Sequence, residues 1–96
     1  MKNPELTELR KKLEAIDSEI AALLAQRFDL CKDVAKVKKR IGIDVEDPNW
    51  EQEIFNRISQ WEGRYSLNDQ ELTGIFRIIL EFSRKTQHRL IDRNEV

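Results

Sequence analysis

Apolar residues in the first 41 positions recur with alternating steps of three and four. They stand at Leu6, Leu9, Leu13, Ile16, Ile20, Leu23, Leu30, Val34, Val37 and Ile41. This spacing is typical of a heptad seam, along which one long helix packs on another. Asn3 suits an N-cap, Pro4 suits the first helical position, and no glycine or proline follows before Gly42. The pattern predicts a helix over about residues 5–40.

A second, shorter helix is predicted after a brief connection at residues 42–46. Gly42 can adopt the left-handed conformation that ends the first helix. Asp47 is a suitable N-cap, and the proline after it fits the first position of a helix over about residues 48–62, which Gly63 would end. The apolar stripe of this helix is Trp50, Ile54, Ile58 and Trp61.

A third helix is predicted over about residues 69–91, with Asn68 as its N-cap. Its apolar face consists of Leu72, Ile75, Phe76, Ile79, Leu80, Phe82, Leu90 and Ile91. The fold class is therefore all-α, with one long, one short and one medium helix in a single domain covering residues 1–96.

The long helix is too long for one chain to cover. It would extend ~54 Å at 1.5 Å per residue. A compact chain of this size has a diameter of only ~32 Å. Because an exposed leucine seam is a large apolar patch, we expect a second copy to cover it. The chain is predicted to form a two-fold homodimer, an intertwined helical bundle.

Composition narrows the class of partner. The 96 residues include 17 Lys and Arg and 18 Asp and Glu, for a net charge of −1. This balance argues against a general nucleic-acid or membrane surface. A lone cysteine, Cys31, fits a reducing compartment. The absence of a long apolar stretch or a signal peptide favours a cytoplasmic protein. With His88 as the only histidine, no metal site is expected.

Arg27 is the one polar residue at a seam position. A buried guanidinium without an anion costs several kcal/mol. The seam positions nearest to Arg27 carry no carboxylate that could pair with it. Two interpretations stay open, namely a structural pairing that fixes the register and the binding of an anionic ligand.

Two further cations flank the seam, each one position after an apolar seam residue. These are Arg10 and Lys38, and each taken singly is most simply a solvated surface charge. Along one helix they would be ~42 Å apart. An antiparallel partner could bring its own Arg10 alongside Arg27 and Lys38.

Four polar residues complete the set of candidates. Ser83 and Gln87 lie one turn apart on the apolar face of the third helix, where they could simply bond to the helix or to each other. Asp47 is accounted for as a cap, and Glu51 suits the helix dipole of the first turn.

The ordered set of these residues resembles the all-helical chorismate mutase family. The resemblance covers about residues 5–91 and rests on Leu9-Arg10, Ala25-Gln26-Arg27, Val34-Ala35-Lys36-Val37-Lys38, Asp47, Glu51, Ser83 and Gln87. In that family a three-helix chain intertwines with its twin and forms two equivalent sites. The resemblance implies the Claisen rearrangement of chorismate to prephenate in aromatic amino-acid biosynthesis, without a covalent intermediate, a metal or a cofactor.

The resemblance also implies residue roles at the charged end of the substrate. Arg27 and the partner subunit's Arg10 would clamp the two carboxylates. Lys38 would contact the enolpyruvyl carboxylate and the ether oxygen, and Gln87 would contact the same oxygen. Such a reaction needs the compact substrate conformer and donors for the charge that develops on the ether oxygen.

At the other end of the substrate, Glu51 and the region around Asp47 would take the ring hydroxyl, and Ser83 would assist at a carboxylate. One position departs from the family pattern. Beside Glu51, where the resemblance leads us to expect a basic residue, this chain has Trp50. This leaves one charge fewer around the substrate.

Two alternatives remain. An isochorismate pyruvate lyase would share the two arginines and the lysine, but it tends to lack acidic residues matching Asp47 and Glu51. A non-catalytic helical dimerisation or regulatory domain would instead pair Arg27 with a carboxylate of the protein.

Overall fold

The computed structural model describes residues 3–93, which form three α-helices. They are α1 (Pro4–Ile41), α2 (Pro48–Tyr65) and α3 (Asp69–Asp92). No strand occurs within residues 3–93, so the all-α prediction with three helices of unequal length is confirmed. Residues 1–2 and 94–96 of the predicted domain lie outside the described residues.

Each helix begins at the side chain that the sequence indicated. The backbone N–H of Leu6 donates to Oδ1 of Asn3 at 3.0 Å. In α2, the N–H of Trp50 donates to Oδ1 of Asp47 at 3.2 Å, and in α3 an N–H of the first turn donates to Oδ1 of Asn68 at 3.1 Å. All three predicted N-caps are therefore confirmed, because each satisfies an N–H that lacks a partner within its own helix.

The end of α2 differs from its prediction. Gly63 was expected to stop the helix near residue 62, but α2 continues to Tyr65. Glycine inside a helix costs only about 1 kcal/mol relative to alanine, so it does not terminate a helix by itself. The left-handed residue is Ser66, with φ 56° and ψ 40°. Gly42, by contrast, has the expected positive φ of 77° just after α1.

The contacts of the chain divide it into two units, one up to Leu30 and one from Cys31 onward. In the second unit α2 packs against α3. Its buried apolar side chains are Ala35, Val45, Ile54, Ile58, Leu80 and Leu90. The rings of Trp61 and Phe76 add a tilted contact with centroids 5.3 Å apart. This small core fixes the helices that carry most of the candidate site.

The apolar seam of α1 is uncovered in the single chain. In the first unit, the exposed fraction of the seam residues ranges from 44 % at Leu6 to 63 % at Leu23 and Leu30. In the second unit, the remaining seam residues are also exposed: Val34, Val37 and Ile41. Within residues 3–93 no helix combines the length and the apolar character needed to cross a membrane.

Candidate functional site

Lys38 is the centre of the candidate site in the second unit. It lies in the last turn of α1, and only 7 % of its surface is exposed. Its Nζ donates to the backbone carbonyl of Val45 at 2.7 Å and to Oε1 of Gln87 at 3.3 Å. Val45 lies in the connection after α1, and Gln87 lies on α3. The ammonium group therefore joins three segments of the chain.

Both acceptors of the Lys38 ammonium are neutral oxygens. Within residues 3–93 no carboxylate forms an ion pair with it. A buried charge without a counter-charge is unfavourable, so the site favours an anion that would supply one. The structure brings Lys38 and Gln87, two of the candidate site residues, into direct contact.

Ser83 lies one turn before Gln87 on α3, and both side chains are buried, at 4 % and 7 % exposure. The Ser83 hydroxyl donates to the carbonyl of Ile79 at 2.8 Å. A hydrogen bond from Ser83 to its own helix was one of the two interpretations that its sequence position allowed.

The two acidic candidates at the start of α2 are both half-buried and both bound to protein groups. Oδ1 of Asp47 accepts the cap hydrogen bond of α2. Oε1 of Glu51 accepts from Nη1 of Arg84 on α3. The structure therefore places Glu51 at the contact between α2 and α3.

Arg84 was missed by the sequence reasoning. Besides Glu51 it approaches Glu46, with 3.9 Å between Nε and Oε2, and Nε2 of His88 lies 3.0 Å from Oε1 of the same Glu46. A cavity of about 290 Å³ adjoins this cluster and is lined by Glu46, Pro48, Glu51, Gln52, Phe55 and Arg84. One feature of the sequence could have identified Arg84. It precedes Gln87 by three residues, and residues three apart lie on the same side of a helix.

Arg10 and Arg27 belong to the first unit. Arg10 is exposed and Arg27 is half-buried. They stand 17 positions apart on one helix, a rise of ~26 Å. The single chain therefore does not bring these two arginines together.

Trp50 does not join the buried stripe predicted for α2. It is 46 % exposed, whereas Ile54 and Ile58 of the same stripe are buried. The guanidinium of Arg57 lies over its ring, 5.1 Å from the centroid. Across the described residues no group of three or more His, Cys, Asp or Glu side chains could hold a metal ion.

Comparison with known proteins gives concordant results. The sequence matches the family described as chorismate mutase type II over residues 9–88. It is 33 % identical over 91 residues to a chorismate mutase of Methanocaldococcus jannaschii, covering 95 % of this chain and 92 % of that one. It is also 33 % identical over 92 residues to the bifunctional chorismate mutase/prephenate dehydratase of Escherichia coli K12. That match covers 96 % of this chain but 24 % of the bifunctional protein.

A solved structure has the same fold. It is a conserved hypothetical protein from Pyrococcus furiosus, with a TM-score of 0.73 and 31 % identity. The match covers 90 % of this chain and 99 % of that one.

Proposed function

The chain belongs to the chorismate mutase type II family, and from this membership we propose that it rearranges chorismate to prephenate in a site completed by a second copy of the chain. The chain spans about a quarter of the Escherichia coli bifunctional relative. The proposal therefore concerns the mutase reaction alone. We also propose that the enzyme is cytoplasmic. Residues 1–96 are proposed to act as one domain, because the single helix α1 contributes residues to both units.

The observation that carries the proposal is the buried bond between Lys38 and Gln87. Oε1 of Gln87 accepts from the Lys38 ammonium at 3.3 Å, so its Nε2 amide is left with two N–H donors. Lys38 uses two of its three N–H groups on Val45 and Gln87. The ammonium and the amide can then both donate to an ether oxygen as its C–O bond breaks. Preorganised donors of this kind lower the barrier without any covalent step.

The two substrate carboxylates are assigned to arginine. Arg27 would bind one carboxylate through its fork of N–H groups, and Arg10 of the partner subunit would bind the other. The second arginine must come from another chain, because Arg10 and Arg27 lie ~26 Å apart along α1. Binding both carboxylates holds the substrate in its compact conformer, which removes much of the entropic barrier.

The homodimer is supported by the uncovered seam of α1. Ten apolar residues there are between 41 % and 63 % exposed in the single chain, from Leu6 to Ile41. Such a patch is larger than monomeric proteins usually tolerate. A second copy carries the same seam, so a two-fold pairing would cover both at once.

The acidic residues favour the mutase over the lyase alternative. Glu51 would accept a hydrogen bond from the ring hydroxyl, together with the region around Asp47, whose second oxygen is not used by the cap. Ser83, buried beside Gln87, would assist at a carboxylate by turning its O–H from the carbonyl of Ile79 to the substrate.

Incubation of the purified chain with chorismate tests this function. We expect chorismate absorbance to fall and prephenate to be the product, with Arg27→Leu folded and dimeric but about 100-fold or more slower. Release of pyruvate would instead indicate the lyase. A parent chain that leaves chorismate unchanged would favour the non-catalytic alternative. An Arg27→Leu chain that no longer dimerises would support a structural role for Arg27.

A further inference from the structure

Arg84 stands at the contact between α2 and α3, and neither the resemblance nor the proposed function gives it a role. Its Nη1 donates to Oε1 of Glu51, and the two side chains are 32 % and 21 % exposed. Glu46, its other acidic neighbour, is 56 % exposed and more distant, at 3.9 Å from Nε. Because water screens a partly buried pair less than an exposed one, Glu51 is the principal partner of Arg84.

Arg84 also adjoins the centre of the candidate site. It precedes Gln87 by three residues on α3, so the two side chains are neighbours on the helix surface. Gln87 in turn holds Lys38. The Arg84 guanidinium lines the cavity of about 290 Å³ that Glu51 also lines. Arg84 therefore contacts the acidic residue directly and lies three residues before Gln87 on α3.

The position before Glu51 explains why this neighbour matters. The resemblance leads us to expect a basic residue there, and the chain has Trp50. Trp50 is 46 % exposed and takes the guanidinium of Arg57 over its ring. Glu51 thus receives its cation from α3 rather than from the adjacent residue of α2.

We propose that Arg84 is a positioning residue, whose guanidinium orients the Glu51 carboxylate so that Oε2 accepts a hydrogen bond from the ring hydroxyl of the substrate. This inference rests on the proposed function. Of the two Glu51 oxygens, Arg84 binds Oε1, and within residues 3–93 Oε2 of Glu51 accepts no hydrogen bond. A carboxylate held through one oxygen by a charged hydrogen bond loses rotational freedom before the substrate arrives. Glu51 then binds the ring hydroxyl in a fixed position while Lys38 and Gln87 bind the ether oxygen.

Variants at position 84, measured in two backgrounds, test the inference. Arg84→Ala is expected to lower kcat/KM for chorismate by about 10- to 100-fold, with most of the change in kcat. Arg84→Lys keeps the charge without the fork and is expected to recover part of the loss. If Arg84 acts through Glu51, Arg84→Ala changes kcat/KM by less than about twofold in a Glu51→Ala background.

Lys85→Ala is the matched control. It removes an exposed ion pair with Glu81, 3.1 Å apart on the same helix and outside the cavity lining. Its kcat/KM is expected to equal that of the parent, because exposed pairs of this kind contribute little.

Two results would overturn the inference while leaving the proposed function intact. One is an Arg84→Ala variant with parental kcat/KM and a lowered Tm, which would make the pair a bond between helices only. The other is an equal loss in both backgrounds, which would show that Arg84 does not act through Glu51. If Arg84→Ala fails to fold, Arg84→Gln replaces it in the same scheme. A parent chain without turnover would instead overturn the proposed function and this inference together.

Discussion

Replacing Lys38 with methionine is expected to lower kcat for chorismate by about two to three orders of magnitude. Methionine keeps the apolar stem in a buried position and removes only the ammonium group. In the proposed site the ether oxygen then loses its charged donor, and Gln87 loses its hydrogen bond from Lys38. Steady-state kinetics on the purified variant, with circular dichroism to confirm folding, measure the effect.

The stability of this variant separates catalysis from folding. The carbonyl of Val45 and Oε1 of Gln87 each lose a donor, at a cost of about 1–3 kcal/mol per unsatisfied group. Release of a buried charge offsets part of that cost. Lys36→Met is the control, because Lys36 is an exposed lysine on the same helix. A Lys38→Met enzyme with kcat within about threefold of the parent would exclude the assigned role.

Replacing Ile20 with glutamate is expected to convert the proposed dimer to monomer and to abolish turnover. Ile20 is 50 % exposed in the single chain and lies in the middle of the seam. In a two-fold dimer the substitution places a carboxylate in the apolar interface of each chain, at a cost of several kcal/mol per charge. Under the proposed function the active sites are lost with the dimer, because each would need Arg10 of the partner subunit. Sedimentation and activity measured over a range of protein concentration detect both effects.

Ser18→Glu is the matched control for the seam variant. Ser18 lies on the same helix, about 160° around the axis from Ile20, and is exposed. It introduces the same charge away from the seam, so dimer and activity should both persist. An Ile20→Glu chain that remains a fully active dimer would show that the seam is not the interface.

The helices could be predicted from sequence because their signals are local. The caps at Asn3, Asp47 and Asn68 act within one turn, and each occurs as predicted. The predicted end of α2 was wrong, because Gly63 can be accommodated inside a helix. The left-handed conformation is adopted by Ser66, and serine does not indicate that conformation in a sequence.

The candidate site could be predicted only in part. Lys38 and Gln87 were singled out by position and resemblance, and the structure adds that they contact each other. The carbonyl of Val45 could not be foreseen, because every residue has a backbone carbonyl and only the path of the chain selects one. Arg84 was missed for a related reason, since its partner Glu51 is 33 positions away on another helix. The roles of Arg10 and Arg27 depend on a second chain, and they stay predictions.

The most direct test of the shared site is activity in mixed dimers. Arg10→Ala and Lys38→Ala chains, each nearly inactive alone, are co-expressed with different tags, and the doubly tagged heterodimer is purified. If Arg10 acts across the interface, one site of the heterodimer holds both defects and the other holds neither. The account predicts about half of the parental turnover per dimer. Heterodimers no more active than either single variant would contradict it.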